Sequence, residues 1–134
     1  MKNITTYITI LFASIFFSQS INAQTADEKY FAQVDHYRYL LKEDKKAVKT
    51  IYETQLIEAD DYYGYEIENA TDGGEKERWE EAYEKSRTII YKVYKEELTS
   101  LQNAFDKAML QLEQKYKKSK KSSSSSNRNK IKRG

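Results

Sequence analysis

From Thr25 to Tyr116 the helical repeat of apolar residues is interrupted once, at Asn69-Ala70-Thr71-Asp72-Gly73-Gly74, and proline is absent from the whole chain. Before the interruption, Tyr30, Val34, Tyr37, Leu41, Val48, Tyr52, Leu56, Ala59 and Tyr63 recur at threes and fours or their sums, the spacing of one helical face. After it, the same spacing runs through Trp79, Tyr83, Ser86, Ile90, Val93, Tyr94, Leu98, Leu101, Phe105, Ala108, Leu112 and Tyr116. A proline would end either run by removing a backbone donor and clashing with the preceding turn. The interruption itself carries turn chemistry: glycine permits positive φ, and Asp72 with Glu75 can form a capping box. Thr25 with Glu28 offers a second capping box at the head of the first run.

The two runs agree about one turn. If the chain folds back at Gly73, residue i faces about residue 146 − i, which pairs Tyr63 with Tyr83, Leu56 with Ile90, Tyr52 with Tyr94, Val48 with Leu98, Leu41 with Phe105, Val34 with Leu112 and Tyr30 with Tyr116. Every pair is apolar or aromatic on both sides. The fold class expected is therefore all-α: a long antiparallel helical hairpin with helices over about residues 26–69 and 75–117. Arms of about 40 residues span ~60 Å at 1.5 Å per residue. Twelve tyrosines are many for a helical chain. Their modest helix propensity leaves packing, with hydroxyls reaching water at the edge of a thin core, as the reason for them.

The ends read differently from the middle. Residues 1–23 have the form of a secretory signal peptide: Lys2 supplies the positive start, Ile8 to Phe17 is a short apolar run, and Ser18 to Ala23 is a polar, small-residue approach to cleavage after Ala23. The apolar run is shorter than the roughly 20 residues that a membrane span needs. The expected location is periplasmic or secreted. The chain has no cysteine, which excludes a lipoprotein anchor, disulfides and thiolate metal sites. A hairpin domain is expected over 24–116. Residues 117–134 hold five consecutive serines between basic clusters and too little apolar area to offset chain entropy, so a disordered basic tail is expected there.

Charge follows this division. Residues 24–114 hold 13 basic and 21 acidic residues, a net charge of −8, whereas nine basic residues and no acid follow from Lys115 onward. Acids crowd Glu53 to Glu84, where only Lys76 and Arg78 oppose them. The group Glu58, Asp60, Asp61, Glu66 and Glu68 lacks the loop spacing of an EF-hand and reads as a solvated hairpin tip. His36 is the only histidine, too few for a histidine metal site or a Ser-His-Asp set. There is no glycine-rich phosphate loop. The expectation is no enzyme, no cofactor and no metal.

A two-helix hairpin leaves apolar residues over. Phe31, Leu40, Ile51, Ile57, Ile89 and Met109 fall beside or beyond the paired stripe. They form the seam of a homodimer or fold against a bent arm of the same chain, or else they are a surface for client proteins or an envelope protein. The tail residues Lys117, Lys118, Lys120, Lys121, Arg128, Lys130, Lys132 and Arg133 suit an anionic surface, at roughly 1 kcal/mol per basic residue. Outside the cytoplasm that surface is anionic lipid or cell-wall polymer rather than nucleic acid. A solubilising tail, or one that folds back electrostatically onto the acidic body, is the other reading.

Leu98-Thr99-Ser100-Leu101-Gln102 spells L-T-x-x-Q, followed by Asn103-Ala104-Phe105-Asp106-Lys107-Ala108-Met109. This resembles the second motif of the Spy/CpxP-like LTxxQ proteins, a family of exported helical proteins. Leu41 to Ile51 resembles the helix that carries the first motif, with Lys42 and Lys45 standing where the Thr and Gln would be. The resemblance covers about Tyr39 to Lys115. It implies a small hairpin-based helical cradle, usually dimeric, in the envelope, acting as an ATP-independent chaperone or a stress sensor. The family's metal-sensing branch uses histidine-rich sites, and its chaperone surfaces are basic and apolar, whereas this body is acidic and has one histidine. Thr99 as N-cap and Gln102 at the third position would start a fresh helix and bend the second arm near Glu97 to Thr99.

Overall fold

A computed structural model describes residues 25–131, with side chains to Ser125. Two helices make up the described chain: α1, Ala26–Glu68, and α2, Gly73–Ile131. They pack against each other as an antiparallel hairpin. The residues expected as a signal peptide, 1–23, lie outside the described residues.

Both helices begin as the capping chemistry requires. At α1 the Glu28 amide donates to Thr25 Oγ1 at 3.2 Å, and the Thr25 amide donates back to Glu28 Oε2 at 2.7 Å. At α2 the Glu75 amide donates to Asp72 Oδ1 at 2.8 Å. The Glu75 carboxylate does not return to Asp72; it accepts from the Thr71 amide at 2.8 Å and the Thr71 hydroxyl at 2.6 Å. Those two bonds hold the Glu75 carboxyl below the usual carboxylate range. Asn69 closes α1 by donating both its amide and its side-chain Nδ2 to the Tyr65 carbonyl, at 3.1 and 2.8 Å.

The turn is therefore Asn69 to Asp72, and the glycines are not its hinge. Gly73 and Gly74 are the first two residues of α2, and neither has positive φ. Glycine at 74 has a steric use instead: a Cβ there would stand 3.3 Å from the capping Asp72 Oδ1.

The described chain divides into two compact units, one of residues 25–42 and 102–131, the other Glu43–Leu101. In the first, Tyr30 stacks on Tyr116 with ring centroids 4.4 Å apart, and Val34 and Leu112 are buried. In the second, Tyr52 stacks on Tyr94 at 4.3 Å and Tyr63 meets Tyr83 at 5.7 Å. Its buried residues are Val48, Ala59 and Leu101. All three ring pairs obey the 146 − i register.

Two details depart from the sequence reading. No break occurs near Thr99. Residues 95–102 are continuous α2, with the Thr99 hydroxyl donating to the Lys95 carbonyl at 2.9 Å, as a mid-helix threonine does. And α2 does not end near residue 117 but runs to Ile131. In that extension Ser119, Ser122, Ser123, Ser124 and Ser125 each donate to the carbonyl three residues back, at 2.8 to 3.2 Å. Every residue from Lys117 to Ser125 is exposed, and serine back-bonds of this kind add little to a helix, so the extension has no packing to support it within the chain.

Candidate interaction surface

The unit that holds the helix ends is organised around Asp27. Its carboxylate accepts from the Tyr116 hydroxyl at 2.8 Å and pairs with Lys120 Nζ at 3.2 Å, while that ammonium lies 5.0 Å from the Tyr116 ring centroid. The Tyr116 bond first, and Lys120 second, hold the Asp27 carboxyl below its usual range. Its own contacts, with Tyr116 first and Asp27 second, push the Lys120 ammonium up. Tyr30 completes the group: one face stacks on Tyr116, and Phe31 meets its edge at 5.3 Å. Phe31 itself is 60 % exposed. Tyr39 and Leu110 of this unit are also exposed, whereas Leu40 and Met109 are half-buried.

In the other unit, the Tyr83 hydroxyl donates to Asp60 Oδ1 at 2.6 Å, and Arg87 Nη1 donates to the same hydroxyl at 3.3 Å. The bond to Asp60 pushes the Tyr83 phenol up. Tyr52 meets Tyr91 edge-on at 6.4 Å on this flank. Near the turn, Trp79 lies against Tyr62 and Tyr63, at 6.1 and 6.3 Å. Ile57 is 61 % exposed, and Ile51, Ile89, Val93, Tyr62, Tyr65 and Tyr91 are exposed with it. Asp44, half-buried, has its carboxyl pushed up by desolvation.

Of the six residues set aside as surplus to the hairpin, four are exposed (Phe31, Ile51, Ile57, Ile89) and two are half-buried (Leu40, Met109). Sequence reasoning missed Leu110, which lies two residues, and so about 160° around α2, from the buried Leu112 and faces water away from the seam. It placed Val93 with the paired stripe, but the seam is narrower than a run of threes and fours implies, so Val93 at its edge faces water. The tyrosines split, with Tyr30, Tyr37, Tyr52, Tyr63, Tyr83, Tyr94 and Tyr116 half-buried and Tyr39, Tyr62, Tyr65 and Tyr91 exposed.

Within the family-like motif, Leu98 is half-buried and Thr99 is exposed. Gln102 Nε2 donates to Asp106 Oδ1 at 3.0 Å, so neither polar residue caps a helix. In the tail, Lys117 pairs with Glu113 at 2.6 Å, and Lys118 and Lys121 are exposed. The side chains of Arg128 and Lys130, and Lys132 and Arg133 altogether, lie outside the described residues. His36 is exposed, with its ring 6.5 Å from that of Tyr37. Among the described residues no group of three or more His, Asp or Glu is placed to hold a metal ion, and no helix is long and apolar enough to cross a membrane. No family model, curated protein or solved structure matches the chain.

Proposed function

We propose that this is an exported envelope protein of the ATP-independent holdase or stress-response type, which holds unfolded client chains on the surface of its helices. The observation that carries this reading is the set of large apolar side chains standing in water on otherwise charged helices: Phe31, Tyr39 and Leu110 in one unit, Ile57 and Tyr65 in the other. Separate apolar contacts spaced by charge suit weak binding to many extended segments, because no single pocket dictates the partner. Tyrosine adds a polar handle to each apolar contact. The form of residues 1–23 and the likeness of Leu98, Thr99 and Gln102 to the LTxxQ motif point the same way.

The test is suppression of client aggregation by purified residues 24–134, beside a variant carrying Phe31→Ser, Ile57→Ser and Leu110→Ser. The wild-type chain should suppress aggregation at near-stoichiometric ratios and the variant should lose most of that effect. No suppression by the wild type retires the holdase reading.

A second reading is an envelope interaction module tethered by its tail. It is favoured by the exposed Lys117, Lys118, Lys120 and Lys121 on a helix that continues out of the hairpin, with no acid after Glu113. Sedimentation with anionic lipid vesicles that is abolished by ending the chain at Tyr116, and weakened by salt, would select it.

A further inference from the structure

The end of α1 differs in charge from the rest of the hairpin. From Thr50 to Glu68 it holds six acids and no basic residue. Elsewhere several acids meet lysines of their own helix three or four residues away, as Glu43 does Lys46, Glu81 does Lys85 and Glu113 does Lys117. Glu53 still pairs backward with Lys49, but among the described residues Glu58, Asp61 and Glu68 have no ion-pair partner. The excess also sits at the unfavourable end of the helix. The macrodipole makes a helix C-terminus negative, where basic side chains stabilise and acidic ones do not, yet the last turn of α1 contains Glu66 and Glu68 and no basic residue. Glu58 and Asp61, three residues apart, add like-charge repulsion on one face.

The same stretch exposes large apolar side chains. Ile57, Asp61, Tyr65 and Glu68 follow one another at four, four and three residues, one stripe on the side of α1 turned away from the seam at Ala59 and Tyr63. Glu58 and Tyr62 lie on the adjacent stripe. Tyr65 is 65 %, Ile57 61 % and Tyr62 53 % exposed, and the three unpaired carboxylates are exposed with them. A face that served only to keep the turn in water would be polar throughout, whereas this one intersperses carboxylates with aromatic rings and a branched aliphatic. A carboxylate attracts a cation, and a tyrosine ring face holds one within about 6 Å of its centroid. Lysine and arginine fit such a surface because each carries its charge on an apolar stem.

We propose that this face of α1, from Ile57 to Glu68, binds cationic segments of unfolded polypeptide in which Lys or Arg is interspersed with apolar residues. The proposal rests on the holdase reading for why such segments are exposed, and it narrows that reading to one class of client. The face is about 17 Å long at 1.5 Å per residue, the reach of about five extended residues. A segment of that length sets its basic heads against Glu58, Asp61 and Glu68, relieving the charge that α1 leaves unopposed, while its apolar residues meet Ile57, Tyr62 and Tyr65. The chain's own tail is a poor match, because from Lys117 to Gly134 its one large apolar residue is Ile131.

The probe is a fluorescein-labelled peptide of Arg-Arg-Leu-Leu repeats, about ten residues long, a pattern that puts both side-chain types on each side of an extended chain. Residues 24–134 should raise its anisotropy at low salt and release it as salt rises. Trp79 is the only tryptophan and lies 6.1 Å from the Tyr62 ring, so the unlabelled peptide should change its emission. Glu58→Gln with Asp61→Asn should weaken binding about tenfold. Ile57→Ser with Tyr65→Ser should do the same at unchanged charge, again about tenfold. Glu80→Gln with Glu81→Gln, whose acids pair with lysines of α2, should leave affinity within about twofold. All six positions are exposed, and circular dichroism should show each variant folded. Equal affinity for a Glu-Glu-Leu-Leu peptide, equal weakening by the α2 pair, or no weakening by the α1 pairs overturns the proposal. So does displacement of the probe by a peptide of residues 117–134 as readily as by unlabelled probe, which would assign the face to the tail of another copy. Peptide binding without suppression of aggregation retires the holdase reading alone, and suppression with neutral clients but no peptide binding retires this proposal alone.

Discussion

Leu101 is the one fully buried side chain among the described residues, at 0 % exposure, and it sits in the middle of α2. Leu101→Ala should therefore be the most damaging truncation in the chain. Full burial of a leucine contributes about 1.5–3 kcal/mol through area removed from water. Truncation adds a cavity term, and Leu→Ala changes in cores cost about 2–5 kcal/mol. A two-helix seam can close partly around the gap, which places this site toward the lower end, about 2–3 kcal/mol. That is a large share of the ~5–10 kcal/mol that holds a small domain together. Leu110→Ala is the internal control, because Leu110 lies in the same helix but is 56 % exposed. Any gain in helix propensity is the same for both, so the control should stay within about 0.5 kcal/mol of wild type. The assay is urea unfolding followed by far-UV circular dichroism, at one fixed chain concentration because self-association would shift the midpoint. With an m-value of about 1–3 kcal/mol/M, the Leu101 midpoint should fall by about 1–2 M with little change in slope. Equal midpoints for the two variants would refute the packing described for α2.

Two further outcomes follow from the same structure. Asp27 has its carboxyl lowered by Tyr116 and Lys120, so its contribution to stability is present above the unfolded-state pKa and is lost as pH falls through the lower folded value. Asp27→Asn should accordingly be less stable than wild type near pH 6 and converge with it in acid, as read by thermal melts across pH. Asp44 has the opposite sign: its carboxyl is raised by burial, so Asp44→Asn should be more stable than wild type near neutrality, with the gain fading as pH drops through the folded value. In the tail, amide exchange of Ser122 to Ser125 should be close to that of an unstructured peptide while Leu101 and its neighbours are strongly protected. A helix end with no partner is marginal in water, since helices shorter than about 12–15 residues need tertiary support. Protection of those serines comparable to that at Leu101 would show a partner on the tail.

The hairpin was legible because its information is redundant. The mirror pairing of Tyr30 with Tyr116, Tyr52 with Tyr94 and Tyr63 with Tyr83 rests on large side chains at helical spacing, and the ring contacts occur where the spacing puts them. The capping box at Thr25 was equally plain, being local. The glycines misled, since glycine in a turn signal suggests positive φ, while Gly73 and Gly74 serve the first helical turn. The LTxxQ stretch misled in the same way. Thr99 and Gln102 have capping chemistry, but packing of Leu98 and Leu101 on either side keeps the helix going. The surface was only half legible. Periodicity separates a paired face from the rest, yet it cannot set the width of the seam, which decided the exposure of Val93.

The seam's width also explains the tyrosines. Between two helices no large side chain is far from water, so a phenylalanine at each seam position would leave its ring edge exposed. A tyrosine buries its ring face and offers its hydroxyl at that edge. Tyr116 spends this on Asp27 and Tyr83 on Asp60, one in each unit, and the residue numbers total 143 in both cases. The two bonds are thus the same contact repeated along one register. A slip of a single helical turn, three or four residues, would break both and part Tyr30, Tyr52 and Tyr63 from their partner rings. Most such slips also set apolar residues against charged ones, for example Leu56 against Arg87 and Val48 against Lys95 at three residues, so the directional bonds and the apolar pairing select one register together. The core is small because the aromatic side chains that define its register keep their edges in water.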